Sequence, residues 1–432
     1  MQLFHCKIAG HFILQNSDWF TIHEKMTTIT APTCSGKSTL LKALRSINPP
    51  FCHPDPAPFA AFPHSARHGN HTRKVIPAKK TAVIAVFICD NALRHTLTAI
   101  DPIFINTDRI EVGRRLDNSR WLTYVEISGS SRWSDLAPEL EKLRKKFPAS
   151  TGDQRLAGMW QKCEMLAPTD RIKGALATKL NELLDYLAVR AGDEDDHALL
   201  QQARFIVNRA SRFMKAIQAT TETLPVFLYL QQDDLLSPAI DVGLVAEKMR
   251  QTTESPWRCA DLFLLELLGI DHDFLQQDGD EIALRLRKNA LLYESAGCRL
   301  GQRLRKYLPG SVRGLALTLD AGVISLRMDC GPEKNGCPAE ISDHWRWMLS
   351  CAVSACYLSE VPGRQPIFLL DEPDAAPSSR DDKIELEEML RRLSDSCQVV
   401  VCTTKEDFAA DSGRRYRLHR EGENGFRVFK IR

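Results

Sequence analysis

Ala31-Pro32-Thr33-Cys34-Ser35-Gly36-Lys37-Ser38 follows the apolar run 26–30 and leads into a helical pattern over 39–47. The order strand, loop, helix reads as a phosphate-binding loop. In such a loop successive backbone N–H groups wrap the phosphates, Lys37 reaches the outer phosphates and the Ser38 hydroxyl ligates magnesium, while the helix N-terminus favours negative charge. The candidate nucleotide contacts are therefore Ala31, Pro32, Thr33, Cys34, Ser35, Gly36, Lys37, Ser38 and Thr39. Two positions depart from the pattern G-x-x-x-x-G-K-[ST]. Ala31 replaces its first glycine, and Cys34 fills a place that is often glycine.

A loop of this kind needs acids to hold magnesium and activate water, and Ile367-Phe368-Leu369-Leu370-Asp371-Glu372-Pro373 supplies them. The apolar residues read as a buried strand of a parallel sheet that delivers Asp371 and Glu372 at its carboxyl end, where ligands bind in open α/β sheets. Asp371 is expected to hold Mg2+ through water and Glu372 to polarise the attacking water as general base, with Lys37 as the catalytic cation. A third candidate ends the short apolar strand 224–230. Gln231 reads either as a bridge between magnesium and the attacking water or as the start of a plain polar turn, Gln231-Gln232-Asp233-Asp234.

Around these motifs the chain divides into an N-terminal ATPase lobe, 1–133, a helical insert, 134–222, a connecting lobe of helices and strands, 223–330, and a C-terminal ATPase lobe, 331–432. Strands are expected at 3–8 and 19–23, and an antiparallel sheet at 82–88, 103–106, 109–116 and 121–127, where β-branched and aromatic residues alternate with turn residues. Helical spacing follows in Leu136-Leu140-Leu143 and Leu180-Leu183-Leu184-Leu187, with Gly192-Asp193-Glu194-Asp195-Asp196 as a charged break. Residues 256–308 are again helical and locally basic through Arg285, Arg287, Lys288, Arg299, Arg303, Arg305 and Lys306, a pattern that fits either a phosphate backbone or a solvated face. A hairpin is expected around Asp320-Ala321-Gly322, helices at 348–358 and 383–393, a strand at 398–402 and an edge hairpin at 415–418 and 425–431. The expected fold is α/β, a P-loop NTPase with a mixed central sheet, an antiparallel β lobe and the helical insert.

With 432 residues, 44% apolar and 26% charged, the chain can bury a large core in two or three lobes. Its formal net charge of +2 gives no global signal for nucleic acid. The N-terminus has no export signal and no run of about 18 apolar residues occurs, so a cytoplasmic protein without membrane contact is expected. The 13 cysteines are scattered without a Cys-x-x-Cys pair, which argues for reduced thiols and against a disulfide framework. Cys89, Cys351, Cys356 and Cys402 sit in apolar runs as small hydrophobes. Cys52, His53, His64, His68 and His71 fall in a proline-rich stretch whose spacings match no familiar zinc pair, and a surface loop is the expectation there.

The ordered set of motifs resembles the ABC-type ATPase heads of the SMC and RecF group, and is most similar to the OLD-like ATPases of bacterial phage-defence systems. The resemblance rests on 31–38, the strand 224–230, the helical pattern 291–308, Ala339-Glu340-Ile341-Ser342-Asp343-His344-Trp345-Arg346-Trp347, 368–373 and Thr403-Thr404. It implies ATP and Mg2+ as cofactors and two heads that dimerise head to tail or build a higher homo-oligomer. A signature segment of one subunit then touches the phosphate bound by the other, and Ser342 is the residue placed to do so. His344 stands where a glycine is usual, and Lys405 replaces the family's strand-end histidine, so slow hydrolysis or a binding switch is implied. Many OLD proteins carry a fused Toprim nuclease of roughly a hundred residues, which does not fit after Glu372. A separate effector, nuclease or toxin, and a phage protein trigger are therefore implied. The alternatives are a RecF-like repair ATPase that clamps DNA, and a nucleotide-binding scaffold or inhibitor without turnover.

Overall fold

The computed structural model describes residues 1–11, 14, 16–52, 80–150, 152–251, 258–312, 314–329, 342–361, 365–409, 413–421 and 425–431. Most of the Cys/His stretch after Cys52, and residues 339–341 of the signature-like segment, lie outside the described residues. Two compact units are present. One comprises Met1–Ile88, Glu111–Leu122 and Leu224–Arg432, the other Cys89–Ile110 and Thr123–Thr223.

The first unit is built on a six-stranded sheet. From one edge its strands are Gly425–Lys430, Arg414–Glu421, Met26–Thr30, Gln398–Thr403, Pro366–Asp371 and Val226–Leu230. The last five are mutually parallel, and Gly425–Lys430 pairs antiparallel as the edge. Every residue of the four strands from Met26–Thr30 to Val226–Leu230 is buried. Burial on both faces fits the apolar runs 226–230, 367–370 and 399–401, which do not alternate, while Met26–Thr30 instead buries three threonines, Thr27, Thr28 and Thr30. The register pairs Thr30 with Thr403, Asp371 with Cys402 and Leu370 with Leu230. The loops after Thr30, Leu230, Asp371 and Thr403 thus emerge from the same carboxyl edge.

An antiparallel sheet in the order Phe20–Thr21, Gln2–Ile8, Thr81–Ile88, Arg109–Arg115, Arg120–Tyr124 forms the expected β lobe. A three-stranded sheet adds Ala239–Asp241 to the hairpin Gly314–Asp320 and Val323–Asp329. Its turn places Ala321 and Gly322 at φ 47° and 88°, the left-handed pair of a two-residue hairpin loop.

Residues 103–106 are not a strand. They lie in the 3-10 helix Pro102–Asn106, because Pro102 sets the first turn and the Asp101 carboxylate accepts from the Ile103 N–H at 3.1 Å. The preceding helix Asn91–Ile100, absent from the sequence reading, is capped by Asp90, which accepts from Leu93 N–H at 2.8 Å.

In the second unit Leu136, Leu140, Leu143, Leu180, Leu183, Leu184 and Leu187 join one apolar core. The chain breaks between the helices Ala175–Ala188 and Glu194–Val207, with Gly192 and Asp193 in the break as expected and Glu194, Asp195 and Asp196 already in the next helix. Asp193 caps Glu194–Val207, and three acids fill its first turn, where the helix dipole favours negative charge.

The cysteines need a further correction. Cys52 and Cys259 are joined in a disulfide across 207 residues, a pairing set by the tertiary meeting of their segments, where Phe51 also packs 6.0 Å from Phe263. Cys351 and Cys402 are buried free thiols, as their apolar surroundings suggested. No helix among the described residues is long and apolar enough to cross a membrane.

Candidate functional site

The turn between Met26–Thr30 and the helix Lys37–Arg45 holds Cys34 at φ 59° and Gly36 at φ 90°. Left-handed backbone at Cys34 accounts for the glycine common there, since a Cβ at positive φ is strained by roughly 1–2 kcal/mol. The loop encloses the start of the helix, so its amides and the dipole face a cavity of about 510 Å3. Thr33, Cys34, Ser35, Gly36, Lys37, Ser38 and Thr39 line that cavity together with Gln231, Asp371 and Glu372. Residues more than 300 positions apart in sequence meet there because Met26–Thr30 and Pro366–Asp371 lie in one parallel sheet, on either side of Gln398–Thr403.

Lys37 is buried, and its ammonium is held by three acceptors: Ala31 O and Pro32 O, both at 2.8 Å, and Glu372 Oε1 at 3.1 Å. Ala31 and Pro32 act through these carbonyls. Their side chains line a neighbouring cavity of about 520 Å3 with Thr404, Glu406 and Arg417. Glu372 stands at φ 53° and ψ 48°, a strained backbone for a non-glycine residue that is fixed by its N–H donating to Cys402 O at 2.8 Å.

Asp371 is buried, and Tyr229 O–H donates to its Oδ2 at 2.8 Å, the same hydroxyl lying 2.9 Å from Gln231 Oε1. Burial, and after it the Asp371 charge, pushes the Tyr229 phenol far above its usual range, so it stays a proton donor. Lys42 and Arg45 lie over its ring at 5.5 and 5.9 Å. Tyr229 was not singled out from the sequence, where it looks like one more core residue. Its position two before Gln231, on the same strand face, is the signal that could have found it.

The cavity meets the chemical demands of a magnesium nucleotide. Ser35 Oγ and Asp371 Oδ1 are buried without a hydrogen-bond partner among the described residues, which leaves both oxygens open to a ligand or a cation. Lys37 and the helix N-terminus suit phosphate, and Asp371 with Ser38 offers oxygen donors to a hard cation.

No protein-family model matches the chain, and no curated protein matches it. In fold the chain is similar to SMC head domains. An Smc head bound to the C-winged helix domain of ScpA is 12% identical, with a TM-score of 0.44 over 100% of this chain and 98% of that one. The SMC head domain from Thermotoga maritima is 11% identical, with a TM-score of 0.38 over 100% of both chains. An Smc head with an extended coiled coil, bound to the C-terminal domain of ScpA and derived from Pyrococcus furiosus, is 11% identical at a TM-score of 0.42, over 100% of this chain and 96% of that one. The functional reading rests on the cavity's own geometry.

Two residues implicated by resemblance lie elsewhere. Lys405 does not line the cavity; its ammonium donates to Asp374 O at 2.7 Å and lies 3.8 Å from the buried Asp374 carboxylate. Ser342 is exposed at the start of the helix Asp343–Glu360 and lies outside the cavity of its own chain. The helix begins five residues earlier than its apolar pattern suggested, and it turns His344 inward, with Ser342 Oγ 2.9 Å from His344 Nδ1. Asp343 in the first turn accepts from Gln232 Nε2 at 2.5 Å, tying this helix to the turn that carries Gln231.

Proposed function

We propose that the chain is an ATP-binding and slowly hydrolysing head of ABC type that assembles head to tail with a second copy of itself. The observation that supports this is the convergence of the phosphate loop, Gln231, Asp371 and Glu372 on one cavity at the carboxyl edge of the parallel sheet. Bound MgATP would supply the electrophilic terminal phosphorus. Lys37 is the group to meet outer phosphate oxygens, Ser38 and Asp371 to hold the metal with Gln231 beside them, and Glu372 to take the proton of an attacking water. Because Glu372 is ion-paired with Lys37, its basicity is tied to where that ammonium points, which favours slow turnover. Ser342, exposed and outside its own cavity, is suited to reach the phosphate held by a partner head.

Within this reading the protein is a nucleotide-dependent sensor or scaffold of a bacterial antiviral defence complex, acting in the cytoplasm on a separate nuclease or toxin and triggered by a phage component. The support is the resemblance of the motif set to that of OLD-like ATPases. The competing DNA clamp needs the basic residues 285–306 free for phosphate. Arg303 is paired with Glu360, Arg285 lies over the Phe274 ring and Lys306 over Tyr307, so three of those seven cations have local contacts. The test is phage challenge of cells carrying the wild-type or the Lys37→Ala chain with its neighbouring genes, alongside salt-dependent DNA binding. Loss of protection only in the variant, without DNA binding, is expected; protection that survives Lys37→Ala overturns the reading.

A further inference from the structure

Beside the nucleotide cavity, though outside its lining, the first turn of Asp343–Glu360 packs on the start of the helix Arg380–Ser394. There His344 Nε2 lies 3.7 Å from Asp382 Oδ1 and 3.6 Å from Glu385 Oε2. The three ligand atoms fall within 4.8 Å of one another. The side chains are 5%, 13% and 14% exposed, so two carboxylates and an imidazole converge in a nearly enclosed place. We propose that His344, Asp382 and Glu385 form a divalent-cation site of the zinc and manganese class, separate from the metal position at Ser38 and Asp371.

Three features carry the assignment. The first is spacing: nitrogen and oxygen ligands about 2.0–2.2 Å from a tetrahedral zinc lie roughly 3.3–3.6 Å apart, so the imidazole stands within a few tenths of an ångström of that separation from each carboxylate, and the two carboxylate oxygens, within 4.8 Å of each other, have further to close. The second is orientation. Asp382 Oδ2 accepts from Ser378 N–H at 3.1 Å, Ser378 Oγ–H at 2.8 Å and Ser379 N–H at 3.2 Å, which leaves Oδ1 directed at His344. Likewise Ser342 Oγ, 2.9 Å from Nδ1, holds the ring with Nε2 toward the acids, the outer partner that metal-binding histidines usually have. The third is charge. Asp382 and Glu385 bring two carboxylates to one place, and their combined negative charge attracts a cation. An imidazole in the set favours zinc or manganese over magnesium, which prefers oxygen ligands.

Metal on Nε2 leaves Nδ1 as an N–H donor to Ser342 Oγ, so the serine's own proton turns away from the ring. On the reading of Ser342 as a phosphate contact, occupancy of this site makes that hydroxyl a donor to the partner's nucleotide. This consequence rests on the proposed function; the metal site does not.

The experiment titrates Co2+, then Zn2+, into the full chain without nucleotide. The expected signal is one equivalent of cobalt with visible ligand-field bands and no thiolate charge-transfer band, displaced by zinc. His344→Ala should remove it, and Glu385→Gln should weaken it by more than about tenfold, the scale seen even for loss of an outer partner. Asp382 is left in place because its carboxylate also caps a helix. Glu385→Gln keeps the side chain's shape, and its circular dichroism and melting curve check the fold. Equal cobalt stoichiometry and affinity in all three chains overturns the site, as does no binding in any, the result expected if a protonated imidazole holds both acids. ATP binding measured in parallel reports separately on the nucleotide cavity.

Discussion

The Tyr229 hydroxyl lies 2.8 Å from Asp371 Oδ2 and 2.9 Å from Gln231 Oε1. With one proton it donates to the carboxylate, the stronger acceptor, and so fixes which oxygen of Asp371 is left for a metal. Tyr229→Phe should raise the Mg2+ concentration needed for half-maximal ATP turnover several-fold and destabilise the chain by about 1.5–3 kcal/mol, the range for a lost hydrogen bond to a charged group. Mg2+ titrations of phosphate release and urea unfolding check the two effects.

The same tyrosine sets a pH dependence. Its phenol is raised in the folded chain, first by burial and then by Asp371, so its contribution is complete below the unfolded value of about 10. Above that pH the unfolded chain loses the proton while the folded chain keeps it, and stability falls as pH rises. Wild type should lose more stability than Tyr229→Phe between about pH 9 and about pH 11, measured by denaturant midpoints at each pH.

Cys34 occupies φ 59° in the phosphate loop. Glycine there relieves about 1–2 kcal/mol of left-handed strain and costs about 0.5–1 kcal/mol of chain entropy. Cys34→Gly should therefore melt at or slightly above wild type with ATP affinity kept. Cys34→Val, β-branched at positive φ, should weaken ATP binding and lower the melting temperature.

Glu372 faces Lys37 at 3.1 Å from a strained backbone. Glu372→Gln removes the proton acceptor and keeps the shape, so kcat should fall by about 100-fold to 10,000-fold while ATP affinity stays within a few-fold. Light scattering with ATP and Mg2+ should show the variant accumulating as a dimer.

If Ser342 completes a partner's site, two inactive chains can restore one another. Lys37→Ala and Ser342→Arg should each be inactive alone. Mixed, they should recover part of the wild-type phosphate release, because one composite site per heterodimer is intact. No recovery on mixing, with each chain folded, excludes assembly through Ser342.

Much of the site was legible because its residues stand at the ends of apolar strands. The apolar runs ending at Leu230 and Leu370 announced buried strands, and Gln231 and Asp371-Glu372 followed from where those strands stop, while the loop was read from its own Gly36-Lys37-Ser38 ending. What escaped was what depends on tertiary neighbours. Tyr229 reads as core until Asp371 is beside it, and Cys52 carries no mark of its pairing with Cys259. His344 looked like an obstruction in place of glycine, yet the early start of its helix turns it toward Asp382 and Glu385. Residues 103–106 have strand-like composition, but Asp101 and Pro102 impose a helical turn on them.

The central claim is that the loop 31–38 and the ends of three distant strands form one magnesium-nucleotide site. Equilibrium binding of ATP to wild type, Lys37→Ala and Glu372→Gln, each with and without Mg2+, tests it most directly. Mg2+-dependent binding to wild type and Glu372→Gln is expected, with a loss of at least about 100-fold in Lys37→Ala, nearly 3 kcal/mol. Equal ATP affinity in wild type and Lys37→Ala, or binding to wild type indifferent to Mg2+, would contradict it.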